Sequence, residues 1–334
     1  MILLLSDQSD AHYKYVKNIL DGMGVETVTM NTTRFPTEES ISFSTSTKNR
    51  NILLLEIGGV SLEGKDISSV WNRRTPPTVH KVQDPHVREY IDKESQSFFD
   101  SLPYLVNAFW INHPEALKSG SMKTHQLRVA SESGLSVPDT YIGNSPAQMR
   151  DFAYRYDYLA VKSIFMPAVQ ISSDTENDRL ILYTRKVSRS DIINLVERAQ
   201  NCPVILQPYV EKDFELRVTV VGNSTFACAI HSQKSKKAME DWRRYDIANT
   251  PHSVFELPQE IHQKLITFTK SLGLVFGCVD MIVTPKGEFV FLEINPNGQW
   301  LWIERLTDMP IGRELARLIV VGGVDSAVDS QQER

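Results

Sequence analysis

Apolar and polar positions along this chain switch between the strand period of two and the helix period of 3.6, and the switches mark its elements. Leu3 to Leu5 reads as a buried first strand. Asp10 can cap a helix running to about Asp21, with Gly22 and Gly24 as its stops. Val25 to Met30 is the next strand, Asn51 to Ile57 is an apolar run, and Val70-Trp71 ends another short strand. Pro85 to Phe109 carries helical apolar spacing behind Asp84. Further on, Ser121 can cap a helix through Ser133, with Gly134 as its stop. Asp157 to Ile164 reads as a strand, Ala168 to Ser172 and Leu180 to Arg185 as a hairpin, and Ser190 to Ala199 as a helix. Val204 to Gln207 opens a last group. There, Glu215 to Val221 and Ser224 to His231 pair across Gly222-Asn223, a strong hairpin signal. Pro258 to Leu272 is an amphipathic helix, Phe276 to Ile294 a hairpin, and Asp308-Met309-Pro310 the cap of a last helix ending near Gly322-Gly323.

This order predicts an α/β fold with α+β lobes in three units: residues 1–112, a small central lobe over 113–200, and a lobe over 201–325 built on antiparallel hairpins, with a polar tail over 326–334. At 334 residues, 41% hydrophobic and 23% charged, the chain can fill several cores. A net charge of −5 argues against nucleic-acid binding through a broadly basic surface. No stretch approaches the roughly 18 apolar residues of a membrane span, and the opening apolar run lacks the basic flank of a signal peptide. Cys202, Cys228 and Cys278 are widely spaced in apolar surroundings, which fits buried thiols in a reducing, cytoplasmic setting. His125, His231, His252 and His262 are scattered without metal-ligand spacing.

The chemistry gathers in the last hairpin, GCVDMIV-TPKGE-FVFLEINPNGQW. With Lys286 and Gly287 as central turn residues, Asp280 falls opposite Glu293, and Asn295 shares that face of its strand. Opposed like charges destabilise a sheet, and burying them unpaired costs more. A divalent cation between them reverses the argument, and oxygen ligands of this kind suit magnesium together with phosphates. Phosphate-loop and dinucleotide-loop motifs are missing, as are HExxH, CxxC and GxSxG. Dispersed cations stand in their place: Lys123 at a helix start, Lys162 on an apolar strand, and Arg217 two residues after Glu215. A lysine on a buried strand needs an anionic partner, and phosphate is one. The segment Gln207-Pro208-Tyr209-Val210-Glu211-Lys212-Asp213 follows a buried strand. It offers an amide and backbone to an adenine edge and carboxylates to ribose hydroxyls.

The order Lys, Lys, QPYV, ExR, VDMI, FLEINPNGQW resembles the ATP-grasp superfamily. Within it, Trp71-Asn72-Arg73-Arg74, the run QPYVEKDFELRVTVVG, Asp241-Trp242-Arg243-Arg244 and the FLEINPNGQW ending are similar to the ligases that crosslink ribosomally made peptides of the microviridin or graspetide type. The resemblance implies a three-domain fold with an N-terminal pre-ATP-grasp domain, and ATP and Mg2+ as cofactors. It implies that Lys123 and Lys162 hold phosphates, that Gln207, Tyr209 and Val210 bind adenine, and that Asp213 binds ribose. Asp280, Glu293 and Asn295 would ligate magnesium. Arg217, with Arg243 or Arg244, would lie near the γ-phosphate and the nascent acyl group, and Arg73 and Arg74 would clamp the incoming carboxylate.

The resemblance also implies a precursor-peptide partner, leader plus core, with no nucleic acid or membrane partner and a possible homodimer. The hairpin near 165–185 would stand in for a glycine-rich loop. It would also dock the leader, together with the helix bearing Asp191, Asn194 and Glu197. Asp or Glu side chains of the core would be activated as acyl phosphates and joined to Thr/Ser hydroxyls or Lys amines, closing macrocycles. Three alternatives stay open: an amino-acid ligase that adds glutamate to a protein or small substrate, a catalytically silent protein that binds peptide and nucleotide, and a kinase on the same fold.

Overall fold

The computed structural model describes residues 1–47, 51–75, 82–165, 168–170, 179–181, 183–242 and 246–324. The first unit runs β1 (Ile2–Ser6), α1 (Ala11–Gly22), β2 (Thr27–Met30), β3 (Ser40–Ser44), β4 (Ile52–Ile57), β5 (Val60–Glu63), β6 (Ser69–Arg73), α2 (Pro85–Phe99), α3 (Leu102–Leu105) and β7 (Phe109–Ile111). β2, β1, β6 and β7 form a parallel sheet in that order, and β3, β4 and β5 an antiparallel one. Asp10 caps α1, as expected, by accepting from the His12 and Tyr13 N–H groups. The long helix expected over 85–109 stops at Phe99. A turn at Asp100-Ser101 and Pro103 divert the chain into α3, and Phe109 already belongs to a strand.

The central lobe runs α4 (Pro114–Gly120), α5 (Lys123–Glu132), β8 (Tyr141–Gly143), α6 (Pro146–Ala153), β9 (Tyr158–Lys162), β10 (Ala168–Gln170), β11 (Arg179–Ile181), β12 (Arg185–Ser188), α7 (Arg189–Ala199) and β13 (Val204–Pro208). Its sheet is ordered β12-β9-β13-β8, with α6 and α7 packed through Met149, Phe152, Ile192 and Val196. β10 and β11 pair as a hairpin. Ser121 does not cap α5: its hydroxyl donates to Leu117 O and closes α4, a short helix the periodicity did not reveal.

The last lobe holds β14 (Phe214–Val221), β15 (Ser224–Ile230), β16 (His252–Phe255), α8 (Gln259–Ser271), β17 (Phe276–Val283), β18 (Phe289–Asn295), α9 (Leu301–Thr307) and α10 (Ile311–Val321). Its antiparallel sheet is ordered β16-β15-β14-β17-β18. Strand alternation sends Leu216, Val218, Val220, Val279 and Met281 into one core with α5 and α8. The opposite face contributes Cys228, Cys278 and Ile230 to a second core shared with α9, α10 and the first unit. Asp308 does not cap α10. It adopts a left-handed conformation that ends α9, an extra helix. Cys202 is exposed, unlike the buried Cys228 and Cys278, because it follows α7 in a turn.

Edge strand β18 is covered by a side chain. Gln126 of α5 donates from Nε2 to Ile294 O at 2.9 Å and accepts at Oε1 from Ile294 N at 3.1 Å. This amide completes the ladder and fixes α5 beside Glu293. Gln126→Leu should lower stability by about 1–3 kcal/mol, because both backbone groups stay buried without partners. A urea midpoint unchanged from wild type would contradict that role.

Candidate active site

The site is a cleft, open to solvent, between the central lobe and the last sheet. Lys123, Lys162, Gln207, Tyr209, Val210, Asp280 and Glu293 all line it. Its floor is one row of charges across neighbouring strands. Arg217 of β14 pairs with Asp280 of β17, and Asp280 with Glu293 of β18. Arg217 Nη1 donates to both Asp280 oxygens at 3.0 Å, and Lys123 Nζ to Glu293 Oε2 at 2.5 Å. The row therefore alternates as cation, two carboxylates, cation. Asp280 is only 8% exposed, which excludes a solvated sheet face. Burial alone would favour the neutral form of Arg217, but the Asp280 carboxylate outweighs it and holds the guanidinium charged. Arg217 Nε is also buried, with no hydrogen-bond partner among the described residues.

The route to this pairing differs from the symmetrical turn expected. Gly287, in a left-handed conformation, donates to Thr284 O, and Val283 pairs with Phe289. That places the centre of the hairpin on Lys286, a register that would put Leu292 opposite Asp280. The register then shifts between Asp280 and Met281: Met281 pairs with Phe291, Asp280 with Glu293, and Leu292 is the extra residue. A bulge thus re-aims Glu293 at Asp280, and Leu292 and Glu293 both line the cleft.

The remaining expected residues divide. Lys162 Nζ donates to Gln207 Oε1 at 2.7 Å, and Gln207 Nε2 to Thr140 Oγ1 at 3.0 Å, so the Gln207 amide is oriented by both neighbours. Asn295 follows Glu293 by two positions, is exposed, and accepts at Oδ1 from Asn297 N. Asp213 is exposed and outside the cleft lining, whereas Glu215 on the next inward position lines it. Burial raises the Glu215 carboxyl, opposed by Lys212 and Ser232, which both contact it. Arg74 is exposed. Arg73 is 1% exposed and committed to Asn297 Oδ1 at 2.8 Å and Asn297 O at 2.9 Å, away from the cleft. Arg243 and Arg244 lie outside the described residues. Lys212, Glu215, Glu240 and Asp241 were missed as lining residues. The alternation Lys212, Phe214, Leu216 against Asp213, Glu215, Arg217 would have exposed Glu215 but not Lys212, which reaches the cleft from a loop.

This donor set fits magnesium. Asp280 and Glu293 would supply carboxylate oxygens from paired positions, whereas Asn295, on the same strand face, lies outside the cleft lining with its amide oxygen accepting from Asn297 N. Among the described residues, no group of three or more His, Cys, Asp and Glu could hold a metal ion without further ligands.

A cleft between a small lobe and an antiparallel sheet, lined by lysines and paired carboxylates with a buried arginine beside them, defines an ATP-grasp ligase. The chain belongs to the RimK-like ATP-grasp family, whose model matches residues 120–319, while the MvdD pre-ATP-grasp domain model matches residues 1–118. Enzymes of this family use ATP and Mg2+. The chain is similar to the RiPP-associated ATP-grasp ligase of Chryseobacterium gregarium, solved with ADP and a leader and core peptide. That match has 25% identity, covers 96% of each chain and has a TM-score of 0.86. It is also similar to macrocyclase MdnC of Microcystis aeruginosa MRC bound with precursor peptide MdnA, at 28% identity over 97% of this chain and 100% of that one, TM-score 0.82. A probable alpha-L-glutamate ligase of Enterobacter sp. (strain 638) is 22% identical over 213 residues, 63% of this chain and 67% of that protein. Among the described residues, no helix is long and apolar enough to cross a membrane.

Arg217→Met should cost about 3–5 kcal/mol, because it strands a buried carboxylate beside a second one. Thermal unfolding should recover in part when Mg2+ is added, more than for wild type. Equal responses to Mg2+ in both proteins would show that the row is not electrostatically coupled.

Proposed function

We propose that this enzyme activates Asp or Glu side chains of a ribosomally made precursor peptide as acyl phosphates and joins them to Thr/Ser hydroxyls or Lys amines within the same peptide. The charge row Arg217–Asp280–Glu293–Lys123 carries the reading, with the match to peptide-bound ligases along nearly the whole chain. Gln207, Tyr209 and Val210 receive the adenine, and Glu215, rather than the exposed Asp213, faces the ribose. Lys162 binds phosphate oxygens. Lys123 and Arg217 exchange their carboxylate partners for phosphate when nucleotide enters. Asp280, Glu293 and Asn295 would hold magnesium, which when bound offsets charge on the transferring phosphoryl group.

A substrate carboxylate oxygen attacks the γ-phosphorus, the bond to the β-phosphate oxygen breaks, and ADP leaves. A hydroxyl or amine of the same peptide then attacks the acyl carbon. Its proton is lost, inorganic phosphate departs, and an ester or amide remains. Arg217, with Arg243 or Arg244, offsets anion repulsion at the first step, and exposed Arg74 reaches for the incoming carboxylate. Proximity within one chain supplies much of the rate of the second. The leader docks on α7, where Asp191, Asn194 and Glu197 are exposed. The enzyme works in the cytoplasm, as a possible homodimer, with no nucleic-acid partner.

The glutamate-ligase likeness keeps a second reading in play: addition of free glutamate to a protein or small acceptor. With ATP and Mg2+, ADP release should require a precursor peptide rich in Asp or Glu, and the peptide should lose the mass of one water per crosslink. ADP release with free glutamate alone would favour the second reading, and phosphate retained on the product would point to a kinase. Nucleotide binding with no turnover on any peptide would leave a silent binding protein. Glu293→Gln should abolish turnover while the far-UV spectrum is unchanged; a fully active variant would remove Glu293 from the metal site.

A further inference from the structure

The parallel sheet of the first unit is ordered β2-β1-β6-β7, so its strand order reverses between β1 and β6. Open sheets of this kind bind ligands at the carboxyl ends of the strands flanking that reversal. Here the ends are Ser6 and Arg73, which are register partners, followed by the Asp10-capped start of α1. The crevice is filled by the chain itself: by residues 297–301, immediately after Glu293 and Asn295.

Buried side chains hold that segment group by group. Asn112 donates to Pro296 O at 2.8 Å. Arg73 donates to Asn297 O and Gly298 O, and Arg217 to Gln299 O at 3.2 Å. His12 Nε2 accepts from Trp300 N and Leu301 N, both at 3.2 Å. α9 begins there without a side-chain cap of its own, so a histidine from another domain satisfies its first donors. On its other side, His12 Nδ1 faces Arg73 Nη2 at 3.1 Å and Asp10 Oδ1 at 3.6 Å. The segment passes so close that a Cβ on Gly298 would lie 2.9 Å from Arg217 Nη2 and 2.5 Å from Cys278 Cβ.

We propose that His12, backed by Arg73, is a positioning residue for the magnesium–nucleotide site: the first domain sets the loop that anchors the end of β18, the strand from which Asn295 and Glu293 would present their oxygens. The inference rests on the magnesium role given to those residues above. Its reach is specific, because neither His12 nor Arg73 lines the cleft, and beyond each other and Asp10 their side-chain hydrogen bonds go to residues 297–301.

The test is binding rather than turnover. The full chain is titrated with Mg2+ in the presence of a fluorescent, non-hydrolysable ATP analogue. His12→Leu should raise the Mg2+ concentration for half-maximal nucleotide binding about 10-fold, the lower end of the effect of losing an outer-shell partner of a metal site. His12→Gln keeps an acceptor oxygen and should restore most of that loss. Tyr15→Phe is the control. It removes a hydrogen bond to Glu304 in the same interdomain joint, and should lower the melting temperature with the Mg2+ requirement unchanged. An unshifted requirement in His12→Leu, or equal shifts in His12→Leu and Tyr15→Phe, would overturn the positioning role while leaving the magnesium assignment intact. Binding that ignores Mg2+ in wild type would overturn both. Should His12→Leu fail to fold, Arg73→Lys gives the same readout, since it keeps the charge and loses the Nη1 hydrogen bonds to Asn297 and Gly298. An unchanged requirement there would equally sink the proposal.

Discussion

Two carboxylates side by side in a sheet interior are tolerable only if positive charge is built around them. Asp280 and Glu293 impose that constraint, and the fold answers it from both sides. Arg217 comes from the neighbouring strand by register, and Lys123 from the start of a helix laid along the sheet edge. Gln126, one turn on, fastens that helix to the β18 backbone and so fixes where Lys123 can reach. Arg217, Asp280, Glu293 and Lys123 therefore form a circuit of two positive and two negative charges in which each carboxylate has a cation beside it.

The same constraint explains why the first domain does more than flank the catalytic lobes. Its strand-order reversal, a place for a ligand in free-standing folds of this kind, is occupied by the loop that follows the paired carboxylates. α1 and α10 share one hydrophobic core with Trp300 and Ile303, so the interface is an interior rather than a hinge. Asp10, which caps α1, faces both His12 and Arg73. Burial would raise its carboxyl, but hydrogen bonds from His12 and Tyr13 and the charge of Arg73 outweigh it and hold the group well below the usual carboxylate range. Burial pushes the His12 imidazole down, and the charge of Arg73 beside it acts in the same direction.

Most of the strands and long helices were legible because each buries one face, and burial imposes its period on the sequence. Errors gathered at caps. Ser121 and Asp308 both look like helix starts, yet each ends the helix before it, because a short helix with weak periodicity precedes each one. The site was legible where chemistry conflicts with pattern: a lysine on an apolar strand, an arginine and an aspartate inside buried ones. It was less legible where reach decides. Arg73 and Arg74 are adjacent and chemically alike, yet one is sealed against Asn297 and the other lies in solvent.

By itself the sequence determined the fold class, the family resemblance and the identity of the charged row, because strand period and turn residues are local properties. The tertiary structure decided which charges meet. The hairpin turn alone sets a register that misses Glu293 by one residue, and only the bulge at Leu292 brings it opposite Asp280. Lys123 and His12 come to this region from residues more than a hundred positions away, and no local pattern encodes such distances. Packing fixes them, since each buried donor and acceptor must find a partner wherever the folded chain supplies one.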